Sequence, residues 1–88
     1  MIKEKTRKDR KKNQINKNQL IVYNDDFNTF DWVIQSLVEV CDHDPIQAEN
    51  CAMIIHTKGK CGVKSGDFDD LLPKCSELSR RKISAKVE

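Results

Sequence analysis

Apolar side chains at Phe30, Val33, Ile34, Leu37, Val38 and Cys41 recur at i, i+3, i+4, i+7, i+8 and i+11, which is one face of an amphipathic helix. Ahead of it, Leu20 to Tyr23 is a short apolar run with β-branched Ile21 and Val22, and it reads as a strand. Asn28 reads as the helix N-cap, with Asp31 three residues on in the place of a capping-box acid. A second helix opens at Asp44-Pro45-Ile46-Gln47, where Asp caps, Pro fills the first helical position and Gln stands at the capping-box position. Ala48, Cys51, Ala52 and Ile55 form its stripe, and Gly59 stands where a left-handed cap belongs, so the helix should end near Thr57 with His56 in its last turn.

Lys60 to Lys64 alternates Cys61 and Val63 with other residues and predicts a second strand. Ser65 or Asp67 can cap a third helix carrying Phe68, Leu71, Leu72, Cys75 and Leu78. Pro73 conflicts with it, because an interior proline removes a hydrogen bond and costs roughly 3 kcal/mol. The helix therefore either bends there or starts near Pro73 after a short turn. Lys82 to Glu88 alternates Ile83, Ala85 and Val87 with polar residues, as a half-buried last strand does. The order β-α-α-β-α-β predicts an α+β fold, three helices packed on a small three-stranded antiparallel sheet.

Charge changes this picture by dividing the chain. Residues 1–19 carry eight Lys or Arg against Glu4 and Asp9, a net +6, whereas the remaining residues carry eight basic against twelve acidic groups, a net −4. From Ile2 to Asn18 the chain has only Ile2 and Ile15 as large apolar residues, too little to offset its ordering entropy, and 1–19 is expected to be a disordered basic arm on a 20–88 domain. Such an arm suits nucleic acid or an anionic membrane, but the acidic domain lacks a basic face with interleaved aromatics to extend a nucleic-acid footprint, and a solvated extension that engages another protein is the preferred reading. A small nucleic-acid-binding module is thus the alternative reading.

With 38% apolar residues in 88, the chain can fill one modest core. It holds no apolar run fit to span a bilayer and no signal-like start, so the expected location is the cytoplasm. Cys41, Cys51, Cys61 and Cys75 lie 10, 10 and 14 residues apart without a C-x-x-C pair, and His43 and His56 complete no zinc-finger spacing. Neither metal nor cofactor is expected. An enzyme built on Asp25, Asp26 and His56 is a poor reading, because the cysteines, the only candidate nucleophiles, have no recognisable partner arrangement.

The chemistry concentrates in Asn24-Asp25-Asp26-Phe27-Asn28-Thr29-Phe30, between the first strand and the first helix. Asn and Asp favour a turn by bonding nearby backbone N–H groups, and their remaining acceptors face outward. Acceptors beside an apolar helix face suit a ligand with a cationic donor at one end and a hydrophobic group at the other, such as a free peptide N-terminus with a large first side chain.

Three sequence features together carry a resemblance: the string Val22-Tyr23-Asn24-Asp25-Asp26-Phe27-Asn28-Thr29-Phe30, the Trp32-Val33-Ile34 helix followed by Ala48-Glu49, and the run Ile55-His56-Thr57-Lys58-Gly59-Lys60-Cys61-Gly62-Val63. From about Leu20 to Glu88 the chain resembles the ClpS family, adaptors of the bacterial N-degron pathway. The resemblance implies a non-enzymatic adaptor, expected to be monomeric. It would capture proteins bearing a large hydrophobic first residue and deliver them to a Clp AAA+ unfoldase, ClpA or ClpC, paired with the ClpP peptidase. It implies that Asn24, Asp25 and His56 hold the substrate's α-amino group and that Asp26 supports them. Three ammonium protons need three acceptors, and a carboxylate, an amide carbonyl and a neutral imidazole can supply them.

It also implies that Asn28, Phe30, Val33, Ala52, Ile55 and Ile83 line the side-chain pocket, and that Asp67 contributes to unfoldase docking. Leu72 stands where members commonly carry a basic residue, and Ala52 where many carry Met. Met53 should not replace that Met, since one residue turns a helix face by about 100°.

Overall fold

The computed structural model describes residues 17–88. The expected disordered arm therefore falls, but for its last three positions, outside the described residues. Asn18 and Gln19 belong instead to the first strand, β1 (Asn18–Tyr23), because Gln19 exchanges two backbone hydrogen bonds with Glu88, both 2.8 Å.

Helices α1 (Phe30–Cys41) and α2 (Pro45–Lys58) follow, then β2 (Lys60–Gly66), α3 (Phe68–Arg80) and β3 (Ala85–Val87). β1 is the central strand, antiparallel to β2 on one side and β3 on the other. Its register to β2 slips between Leu20, opposite Lys64, and Ile21, opposite Gly62. This bulge leaves Val63 as the extra residue, and its side chain is buried. Leu20 and Val22 point from β1 into a core completed by Leu37, Ala48, Ile55, Leu71, Leu78 and Ile83. The helices thus cover one face of the sheet, as the apolar pattern predicts.

Local chemistry explains most boundaries. Asp44 Oδ1 accepts from Gln47 N at 2.8 Å, with Pro45 as first helical residue, and Gly59 closes α2 at φ 97°, a conformation that only glycine adopts at little cost. The α1 cap is a correction: Thr29, not Asn28, caps the helix, its Oγ1 accepting from Trp32 N at 3.0 Å. Asn28 has other partners, described below. β3 is shorter than its alternating pattern, because Lys82 and Ile83 are tied back into a turn, Lys82 N to Ser79 O and Ile83 N to Leu78 O, each 2.9 Å.

Pro73 lies inside α3, which runs through it. The bond it cannot make is to the carbonyl of Asp69, in the exposed first turn. Leu71 and Leu78 are at most 1% exposed, and burying each contributes about 1.5–3 kcal/mol, enough to offset roughly 3 kcal/mol for the proline. The four cysteines are thiols, and burial pushes the Cys41 thiol up to about 11, consistent with a small packing residue. No helix among the described residues is long and apolar enough to cross a membrane.

The end of α3 is pinned to α1 by Arg81. Its guanidinium bonds Glu77 Oε2 at 3.0 Å, Glu39 Oε1 at 2.8 Å and Ser36 Oγ at 3.3 Å, and lies 5.5 Å from the Trp32 ring centroid. Trp32 Nε1 in turn donates to Arg81 O at 3.2 Å. Arg80 and Arg81 hold the Glu77 carboxyl down to about 2 from its ordinary 4.5. A carboxylate depressed on folding adds stability above its unfolded pKa and loses it as pH falls through the folded one. Wild-type protein should therefore lose melting temperature between pH 4.5 and about 2, and Glu77→Gln should lose less over that window. Parallel melting curves of the two proteins across this range would remove Glu77 from the account.

Candidate functional site

Beyond its last sheet partner β1 makes one more bond, Asn24 N to Gly59 O at 2.9 Å. That bond holds the Asn24-Asp25-Asp26 turn beside the last turn of α2, where His56 stands exposed. Between the turn, α1 and α2 opens a groove of about 480 Å³ lined by Asn24, Asp25, Asp26, Asn28, Thr29, Phe30, Val33, Ala52, Met53, Ile55 and His56. Its polar groups come from the turn and the end of α2. Its apolar groups come from the first two turns of α1, Phe30 and Val33, and from the facing stretch of α2, Ala52 and Ile55. Helix positions three apart share a face, so each helix gives the groove one apolar wall.

The turn is built on Asp25. Its Oδ1 accepts from Phe27 N at 2.9 Å, Asn28 N at 3.0 Å and Asn28 Nδ2 at 3.0 Å, while Oδ2 accepts from Asn28 Nδ2 at 2.9 Å. The same Asn28 amide also donates to Lys82 O at 2.8 Å. Asp25 is half-buried, and one of its oxygens is fully engaged by the chain itself. Asp26 lines the groove too, but it is exposed, and no protein donor among the described residues bonds its carboxylate. The two neighbouring carboxylates thus differ: one folds the loop and the other faces outward.

Of the residues singled out in the sequence, the structure brings Asn24, Asp25, Asp26, Asn28, Phe30, Val33, Ala52, Ile55 and His56 to this groove. Ile83, expected on the last strand, lies ahead of β3, is 3% exposed within the hydrophobic core and is not among the residues that line this groove. Asp67 lies outside the groove at the N-cap of α3, where its side chain makes no capping bond.

Two lining residues escape the sequence reading. Thr29, the N-cap of α1, enters the lining as the residue next to Phe30. Met53 was placed off the pocket face, yet it lines the groove at 49% exposure. A helix-wheel angle describes Cα positions, whereas methionine has three rotatable bonds and reaches round its helix.

Residues 13–86 match the family model described as ATP-dependent Clp protease adaptor protein ClpS. Among solved structures, ClpS2 of Agrobacterium tumefaciens, determined bound to L-phenylalaninamide, superposes with a TM-score of 0.78 at 19% identity, covering 83% of this chain and 95% of that one. At that identity the likeness speaks for the fold, and it reproduces the β-α-α-β-α-β order. No curated protein matches the sequence. The family match spans β1, β2, all three helices, the start of β3 and the whole groove, and on it the chain belongs to the ClpS family of Clp protease adaptor proteins.

Proposed function

We propose that the groove captures the free amino terminus of a polypeptide whose first residue is large and apolar, and that the chain delivers it to a ClpA- or ClpC-type AAA+ unfoldase working with ClpP. One observation carries this reading: a single groove joins an acceptor-rich end, Asn24, Asp26 and His56, to two apolar walls, Phe30 with Val33 and Ala52 with Ile55. An N-terminal ammonium has three protons and no acceptor capacity. The Asn24 carbonyl oxygen, a carboxylate oxygen and a neutral His56 nitrogen match it one for one.

The resemblance assigns that carboxylate to Asp25, with Asp26 in support. The bonds within the turn favour the reverse division, because Asp25 Oδ1 already takes three donors whereas Asp26 is uncommitted. In this reading Asp26 meets the ammonium and Asp25 shapes the turn, adding its charge through Oδ2. The neighbour's ligand supports the same polarity: L-phenylalaninamide has a free α-amine, a benzyl side chain and no carboxylate to repel. Nothing in this chemistry breaks a bond. The groove binds, and the unfoldase and peptidase do the rest.

Fluorescence anisotropy with peptides that differ only in their first residue tests the reading. Leu, Phe, Tyr and Trp peptides should bind, and Glu or Gly peptides should not. An affinity blind to the first residue would overturn it. The series also reads the pocket's width. Ala52 is small and buried, and Phe30 fills part of the space opposite. Ile- and Val-initiated peptides should bind about 1–2 kcal/mol worse than the Leu peptide, the scale on which apolar pockets resolve one methylene. Ala52→Met should widen that gap. An unchanged ranking would show that Met53 or Phe30, not position 52, sets the width.

A further inference from the structure

Asn28 stands in the groove lining, where the family resemblance would make it part of the side-chain pocket. Its bonds place it elsewhere. A side-chain amide has two N–H protons. One spans the Asp25 carboxylate, at 3.0 Å to Oδ1 and 2.9 Å to Oδ2, and the other goes to Lys82 O at 2.8 Å. Both partners can only accept, so the amide has one orientation: flipped, its oxygen would face a carboxylate and a carbonyl. Lys82 is itself held in an uncommon conformation, φ 71°, by the turn that follows α3, and the neighbouring Arg81 is locked onto α1. The Asn28 amide is therefore a strut between the Asn-Asp-Asp turn and a rigid corner 54 residues away in sequence.

We infer that Asn28 is a positioning residue for the amine end of the groove, acting through Asp25, and not a determinant of the first-side-chain preference. Resting on the N-terminus reading, this deepens it by naming what fixes the acceptors. With Phe27 N and Asn28 N also on Asp25, the strut sets the direction in which the next residue, Asp26, leaves the turn. An acceptor set that is held before the ligand arrives loses less entropy on binding.

The experiment has a ligand-free arm and a ligand arm. In the free protein, amide hydrogen exchange measured by NMR should show Phe27 N–H protected in wild type and faster in Asn28→Ala, with exchange in β1 and α2 unchanged. Equal Phe27 exchange in the two proteins would overturn the strut whether or not any peptide binds. In the ligand arm, Asn28→Ala and the similarly sized, donor-free Asn28→Leu should each weaken Leu-, Phe- and Trp-initiated peptides by one common factor. That factor is about tenfold or more, the consequence of losing a hydrogen bond to a charged group. In an Asp25→Ala background, Asn28→Ala should add almost nothing. A wall residue would behave oppositely: Asn28→Leu would keep or raise affinity, Asn28→Ala would reorder the peptides, and the losses would add to that of Asp25→Ala. If wild type binds no free-amine peptide, the N-terminus reading fails, and the exchange result still decides the strut.

Discussion

Acetylating the amino terminus of a Phe-initiated peptide should abolish its binding. The acetylated nitrogen is neutral and keeps one N–H where the ammonium had three, so at least two of the acceptors offered by Asn24, Asp26 and His56 lose their donor. Hydrogen bonds to charged groups contribute about 1.5–3 kcal/mol each, and two of them amount to a loss on the order of a hundredfold to ten-thousandfold. The acetyl group also has to occupy the space where the ammonium sat. Anisotropy with matched free and acetylated peptides measures this directly. A difference below tenfold would mean that the apolar walls alone bind the peptide.

Removing the Asp26 carboxylate should be nearly as damaging. Asp26→Ala leaves an ammonium desolvated in the groove with its main counter-charge gone, and truncating one side of a hydrogen-bonded charge pair typically costs about 2–5 kcal/mol. Asp26 bonds to no protein donor among the described residues, so this loss should come without a fall in melting temperature. Asp25→Ala should weaken binding as well, but by a different route. It frees Phe27 N, Asn28 N and the Asn28 amide together, so its signature is a loosened turn seen by hydrogen exchange. Isothermal calorimetry on the two variants, with melting curves alongside, separates the roles. A loss under about 1 kcal/mol for Asp26→Ala, with the full loss at Asp25, would restore the assignment that the family resemblance implies.

How much of this could be seen in the sequence depends on the range of the interaction. The periodicity of α1 and the Asp44-Pro45 start and Gly59 stop of α2 are local devices, and each is written within a few residues. The grouping of Asn24, Asp25 and His56, with Asp26 in support, was legible only through the family pattern, since it takes the Asn24-to-Gly59 backbone bond to bring the turn to the end of α2. Asn28 shows why the rest stayed hidden. As a residue type it is a good N-cap, but Asp25 and Lys82 O compete for its amide, and Thr29 next door takes over the cap. At Ile83 the alternating pattern reports an inward-facing residue, and Ile83 is buried, but such a pattern does not say whether an inward residue meets a core or a groove. Pro73 was a true ambiguity, settled by the burial of Leu71 and Leu78 on either side of it.

The central claim is that one groove reads a free amine and the first side chain together. Titrating ¹⁵N-labelled protein with L-phenylalaninamide, and separately with N-acetyl-L-phenylalaninamide, tests it most directly through the backbone amide shifts. The amine-bearing compound should shift Asn24, Asp26 and His56 at one end and Phe30, Val33 and Ala52 at the other in a single saturable process, and the acetylated compound should shift neither set. Shifts confined to the apolar walls with both compounds, or centred on residues outside the groove, would contradict the account.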